Sequence, residues 1–223
     1  MKLTKFVTAD GRFDYARYQN IQEEGNKRKI NMVWVNKDLV KYLSELLKSN
    51  IGDVKNGLCH GTRRGKEQEW FRDNLGADVI GTEISSTATD FPNTIQWDFH
   101  ETKPEWLGVT DFIYSNSWDH SYDPEKMFTS WMSCLRPGGW IILEYTRQHW
   151  PDHSGELDPF GISIDELTYL LTRLGGGEFY VRAIVSTFPF EPPKHLKTAS
   201  IVIVERAQRK LQGVASQTIT AES

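Results

Sequence analysis

The chain holds only two cysteines in 223 residues, Cys59 and Cys134, far apart in sequence. That is too few for a disulfide scaffold, and free thiols in a reducing compartment are expected. It has no apolar run approaching the ~20 residues needed to span a bilayer. Its opening, MKLTKFVTADGRFDY, carries no apolar signal core, so a soluble, cytoplasmic protein is expected. Nor is there a surplus of positive charge: 26 Lys and Arg stand against 30 Asp and Glu, a formal net charge of -4. A general electrostatic footprint for nucleic acid is therefore missing, and neither nucleic acid nor a membrane is expected as partner. No internal repeat and no linker between two cores is visible.

What is present favours a packed globule. Hydrophobic residues make up 39% and eight Trp are included, enough for a full core in one domain with an appendage. The first fifty residues read as two polar or amphipathic helices. In DLVKYLSELLKS the apolar residues Leu39, Val40, Leu43, Leu46 and Leu47 recur at helical spacing. Ahead of it, FDYARYQNIQEEGNKRKI reads as a weak helix broken at Gly25.

From residue 54 onward short apolar strands alternate with helices. Strands are predicted over Val54–Cys59, Asp78–Ile84, Thr94–Phe99, Asp111–Asn116 and Trp140–Thr146. Between them, a helix over Lys66–Leu75 is closed by Gly76. DPEKMFTSWMSCL has Asp123 as N-cap and Pro124 at the first helical position, with Met127, Trp131 and Cys134 along one face. SIDELTYLLTRLGG carries a capping box, Ser163 with Glu166, and a staple between Ile162 and Leu167. Two β-rich runs, FYVRAIVSTF and TASIVIVERA, are joined by a proline-containing loop, which fits an antiparallel pair. Alternation of this kind predicts a doubly wound, mostly parallel α/β sheet. The expected division is an N-terminal helical cap over 1–50, an α/β domain over 51–207 and a flexible tail over 208–223.

In such sheets ligands bind beyond the carboxyl ends of the strands, where strand order reverses. The first loop there is GLCHGTRRGKE, in which Gly61 and Gly65 permit close backbone approach. Backbone N–H groups at the following helix start can face an anion. Alone, the loop reads equally well as a turn. Glu83, however, ends the next predicted strand 22 positions beyond Gly61, a placement suited to ribose hydroxyls. Asp98 and Phe99 end the third, where an acid can accept from an adenine amino group while the ring packs on the base; a plain cap is the alternative.

With LRPGGWIILEY announcing the fifth strand, the stretch from Val54 to Thr146 resembles the class I S-adenosylmethionine-dependent methyltransferases. In that family a glycine loop, a strand-two acid, a strand-three acid and an L-x-P-G-G turn occur in this order. The resemblance implies a seven-stranded sheet whose last strand is reversed, which separates it from nicotinamide dehydrogenases. It implies S-adenosylmethionine as cofactor, held by Gly61, Thr62, Arg63, Glu83, Ile84, Asp98, Phe99, Ser115 and Asn116. The loop departs from the family's D-x-G-x-G-x-G. Aligned on GT, this chain has Gly57, Cys59, Gly61 and Arg63, so the acid and two glycines are gone. Arg63 or Arg64 either covers the methionyl carboxylate or is surface charge. The methionyl amino group needs another acceptor, for which backbone carbonyls can serve, and the N-terminal EEGNKRK segment can close over this end.

For the transfer itself, WDHSYD supplies Asp119 and His120 as candidate catalytic residues; His suits proton removal from a hydroxyl near neutral pH. The alternative is that both merely hold the loop. His149, Asp152 and His153 form a second polar cluster, but no spacing among these five is diagnostic of a metal, and none is expected. A small polar acceptor such as a sugar or metabolite hydroxyl is the leading expectation. A non-catalytic cofactor-binding domain serving as a partner or regulatory subunit is the alternative that the eroded loop raises.

Overall fold

The computed structural model describes residues 1–209. The tail read from position 208 thus falls, from residue 210, outside the described residues. In chain order the elements are β1 (Lys2–Leu3), α1 (Tyr15–Arg28), α2 (Lys37–Ile51), β2 (Asn56–His60), α3 (Lys66–Leu75), β3 (Asp78–Glu83) and β4 (Thr94–Gln96). Then follow β5 (Thr110–Ser115), α4 (Pro124–Cys134), β6 (Leu135–Tyr145), β7 (Phe160–Gly161), α5 (Ile164–Gly175), β8 (Phe179–Val185) and β9 (Ser200–Arg206).

Seven strands form one sheet in the order β4-β3-β2-β5-β6-β9-β8. The first five run parallel, and β9 is inserted antiparallel between β6 and β8. The predicted terminal pair is therefore present. The chain winds outward from β2 to β4, then returns to β5 on the other side of β2. Strand order reverses between β2 and β5, and that is where a crevice must open.

Each face of the sheet carries its own core. On one, Leu39, Val40, Leu43 and Leu47 of α2 join Phe71 of α3 against Cys59, Phe112, Tyr114 and Ile142. On the other, Met127, Trp131 and Cys134 of α4 and Leu167, Leu170 and Leu171 of α5 pack with Ile113, Ile141 and Leu143. The apolar stripes predicted from helical spacing are these buried faces. Both cysteines are free and buried. Helix starts follow the predicted chemistry: Asp123 accepts from the Lys126 N–H, and Ser163 and Glu166 close a capping box. The N-terminal ammonium also binds Glu166, at 2.7 Å.

α1 belongs to neither core and lies across the carboxyl ends of the strands. Polar contacts hold it there: Tyr18 donates its hydroxyl to the His120 carbonyl at 3.0 Å, and Gln22 donates to the Glu156 carbonyl at 3.1 Å. Thr87 donates to Asn26 at 3.0 Å. A two-stranded sheet of β1 and β7, absent from the sequence reading, ties the first residues down beside it.

Two expectations need correction. α1 runs unbroken through Gly25. A Cβ there would approach Leu157 to 2.6 Å, so this glycine lets the helix pack closely against the chain ahead of β7 instead of ending it. The third strand of the sequence reading stops at Gln96 rather than Phe99. Asp98 leaves the strand because its carboxylate and carbonyl are used to turn the chain, accepting from the N–H groups of His100 and Glu101.

Candidate functional site

A crevice lies beyond the carboxyl ends of β2, β3 and β5, the place where sheets of this kind bind their ligands. Its floor is Gly61, Arg63, Glu83, Ile84, Asp98, Phe99, Ser117 and His120; its cover is α1, through Tyr18, Gln22, Asn26 and Lys29.

The loop after β2 turns through left-handed residues at Gly61, Arg63 and Gly65. Gly61 has φ +73°, and a Cβ on it would lie 2.8 Å from that of Ser117, so glycine is required. Arg63 stands at φ +43°, a left-handed conformation that disfavours a side chain by roughly 1–2 kcal/mol. The turn aims its N–H at Glu83, with the N–H donating to Oε2 at 3.0 Å. Arg63 thus holds a glycine-type conformation without being glycine, and strain of this kind concentrates at binding loops.

Glu83 is buried, its other oxygen accepting from the Ser85 N–H at 3.2 Å. Burial pushes its pKa up against these hydrogen bonds. Each oxygen accepts one bond and so retains a lone pair towards the crevice, as a pair of vicinal hydroxyls would need. Asp98 accepts at Oδ1 from both the N–H and Nδ1 of His100, at 2.9 and 2.6 Å, and at Oδ2 from Tyr15 at 3.0 Å. Burial acts to raise its pKa, but the His100 hydrogen bonds and charge, with Tyr15, bring it below the ordinary value. It stays a carboxylate. His100 in turn meets Ser121 at 2.8 Å and stacks on Tyr122.

The other predicted residues divide. Thr62 and Asn116 line a smaller recess next to the crevice, which also takes in Gly61, Arg63 and Ser117. Ser115 is buried and used internally, donating to the His60 carbonyl. His120 lines the crevice, between Gln22 Oε1 at 2.7 Å and Asp158 at 3.2 Å. Asp119 does not line it: it is buried 3.7 Å from His149 Nε2. His149 accepts the Thr146 N–H at Nδ1, so the proton sits on Nε2, facing Asp119. Asp152 and His153 are exposed, and among the described residues no group of three or more His, Cys, Asp or Glu is arranged for a metal ion. Asn26 and Lys29 belong to the EEGNKRK segment expected to close over the site, whereas Tyr18, Gln22 and Asp158 were not singled out from the sequence.

The buried acids have a measurable consequence. Burial pushes Glu67 up to about 8, and Asp119 and Glu144 to about 7, while it depresses His149 to about 4 and His60 to about 3. The histidines favour stability as pH rises, but only up to the ordinary histidine range. Above about pH 6.5, the folded state still binds protons on these acids that the unfolded chain has released. Stability should therefore fall from pH 6.5 to 8.5. A thermal unfolding series over that interval checks it; a rising midpoint would contradict the burial of the acids.

No protein-family profile matches the sequence, and no curated protein matches it significantly. Solved structures do match in fold. The 1,6-didemethyltoxoflavin-N1-methyltransferase of Burkholderia thailandensis, bound to its acceptor and S-adenosylhomocysteine, superposes with TM-score 0.65, at 14% identity over 90% of this chain and 93% of that one. The plantazolicin methyltransferase BpumL with S-adenosylhomocysteine gives 0.62, at 15% identity over 86% and 94%. Geranyl diphosphate C-methyltransferase from Streptomyces coelicolor gives 0.56, at 14% over 74% and 77%. The fold is that of the class I S-adenosylmethionine-dependent methyltransferases, a mostly parallel seven-stranded sheet with its reversed strand. Among the described residues no helix is long and apolar enough to cross a membrane.

Proposed function

We propose that the chain is an S-adenosylmethionine-dependent methyltransferase acting on a small polar acceptor, with a sugar or metabolite hydroxyl as the favoured class. One observation carries this reading: the glycine-type turn, Glu83 with a free lone pair on each oxygen, and Asp98 beside Phe99 converge on one crevice at the reversal point. Two acids beside an aromatic ring and a tight turn are the groups that an adenosine needs for its ribose, its amino group and its base. The neighbouring folds that hold S-adenosylhomocysteine support the choice. When bound, the cofactor supplies an electrophilic methyl on a sulfonium. The residues present would hold its ribose (Glu83), adenine (Asp98, Phe99, Ile84) and methionyl end (Gly61, Thr62, Arg63, Asn116).

The protein's contribution to an in-line transfer is alignment, exclusion of water and, for a hydroxyl, removal of a proton. α1 covers the crevice, which would exclude water, and His120, which lines it, is the residue we assign to take the acceptor's proton. The neighbours act on different acceptor atoms, a ring nitrogen and a carbon among them, so hydroxyl methylation rests on His120 alone. A purely cofactor-binding partner domain is the second reading; His120, which lines the crevice together with Glu83 and Asp98, favours an enzyme over it.

Calorimetry with S-adenosylmethionine and S-adenosylhomocysteine should show binding of both. Glu83→Ala should weaken it by ~1.5–3 kcal/mol, as for hydrogen bonds to a charged group. Absence of binding would overturn the cofactor assignment. Binding without release of methyl to any sugar, nucleotide sugar or phenol would favour the partner-domain reading.

A further inference from the structure

The recess beside the crevice is bounded by the loop from Gly61 to Arg64, the start of α3, Asn116 and the segment from Met32 to Trp34. Three of the residues that line it each carry a buried polar atom with no hydrogen-bond partner among the described residues: Thr62 Oγ1, Arg63 Nε and Asn116 Nδ2. Buried orphans are rare in folded proteins, and each calls for a partner that is missing. The same recess is lined by Glu67, which is only 7% exposed. Arg63 and Glu67 do not neutralise each other: no ion pair joins them among the described residues, and the Arg63 side chain makes one long hydrogen bond, 3.4 Å from Nη1 to the Met32 carbonyl.

A recess with unpaired donors and a buried, unpaired acid a few residues apart suits a ligand that carries both signs. An α-amino acid group is such a ligand: its carboxylate takes up Arg63 Nε and Asn116 Nδ2, and its ammonium takes up a carboxylate. The recess opens beside the crevice through Gly61, Arg63 and Ser117, which line both. A cofactor whose adenosine lies on Glu83 and Asp98 would extend its amino-acid end there. An acid cannot stand at Gly57 to meet the ammonium, because a Cβ at that position would lie 2.3 Å from the Phe112 ring.

We propose that Glu67, on the first turn of α3, is the acceptor for the methionyl ammonium, opposite Arg63 and Asn116 on the carboxylate. The assignment rests on the cofactor reading above and adds the residue that grips the charged end. Burial keeps Glu67 largely protonated in the free protein at neutral pH. The groups that act on it are Arg63 of the loop, Glu83 at the end of β3, Glu144 of β6, Cys59 of β2 and Tyr114 of β5, with Arg64 and Lys66 also at the recess. Arrival of an ammonium favours the ionised form, so binding should release most of a proton.

Two probes isolate the charged end: S-adenosylhomocysteine, and 5′-methylthioadenosine, which lacks the amino-acid group. By calorimetry Glu67→Gln should weaken S-adenosylhomocysteine roughly tenfold to a hundredfold, the range of hydrogen bonds to charged groups. It should leave 5′-methylthioadenosine essentially unchanged. The proton released to buffer on S-adenosylhomocysteine binding near pH 7.5 should vanish in this variant. Asn116→Ala is a second variant, expected to show the same ligand selectivity while proton release persists. Equal weakening of both probes, or none, overturns the assignment of Glu67 and leaves the cofactor reading standing. Failure of the unaltered protein to bind S-adenosylhomocysteine overturns both.

Discussion

Gly57→Asp, the substitution that would restore the acid common at this position of the fold, is expected to destabilise the protein by ~2–5 kcal/mol. The figure joins overpacking of a closed core to burial of a carboxylate with no partner. A Cβ at Gly57 would fall 2.3, 2.5 and 2.8 Å from three atoms of the Phe112 ring. That ring is fully buried and packs on Phe71 at 4.9 Å between centroids, so it has nowhere to go. Domains of this size hold only ~5–15 kcal/mol of stability, and the loss should be plain in denaturant unfolding. Gly57→Ala should show the steric part alone. Trimming Phe112 in the Gly57→Asp background should recover part of the loss, since the clash is with that ring. A Gly57→Asp protein within about 0.5 kcal/mol of the parent would show that the packing account is wrong.

Phe112 also explains how much of the site could be read in the sequence. The strands and the sheet-covering helices were legible because their periodicity is dictated by burial. Leu39, Leu43 and Leu47 of α2 and Met127 and Trp131 of α4 fall on core faces that any α/β sheet imposes. Glu83 was legible because a strand end after a glycine loop has few places to point. The fate of the acid at Gly57 was not, because it depends on a ring 55 residues away that shares its register. The cover of the crevice was legible only in part: the EEGNKRK segment was expected to close over the site and supplies Gly25, Asn26 and Lys29, whereas Tyr18 and Gln22 were missed. Tyr18, Gln22, Gly25 and the C-cap Lys29 follow one another along α1 at spacings of four, three and four. Their polarity masks the periodicity when only apolar stripes are sought. A polar stripe that includes a glycine is the signal that was present. Asp119 and His120, adjacent in sequence, are parted by the turn they share: one is buried against His149, the other lines the crevice.

That separation gives the two residues different expected phenotypes, and His120→Ala carries the larger effect on turnover. Gln22 donates its amide to the Glu156 carbonyl, which fixes its own carbonyl towards His120 Nδ1 at 2.7 Å. Nδ1 therefore carries a proton, and Nε2 faces the Asp158 carboxylate at 3.2 Å, so the acceptor's proton would be taken up by the His120–Asp158 pair and not by an open ring nitrogen. A positioned base of this kind contributes about 10²–10⁴-fold. Loss of kcat in that range is expected for His120→Ala with a hydroxyl acceptor, with S-adenosylhomocysteine affinity little changed because Glu83 and Asp98 lie elsewhere in the crevice. Asp158→Asn should reproduce part of the loss, since the carboxylate that faces Nε2 is then gone. Asp119→Asn, by contrast, should alter thermal stability and its pH dependence while sparing kcat, for its carboxyl faces His149 and not the acceptor. Undiminished turnover in His120→Ala would remove the base from the mechanism. It would also move the expected acceptor from a hydroxyl to a group that needs no deprotonation, such as a thiolate or an unprotonated amine.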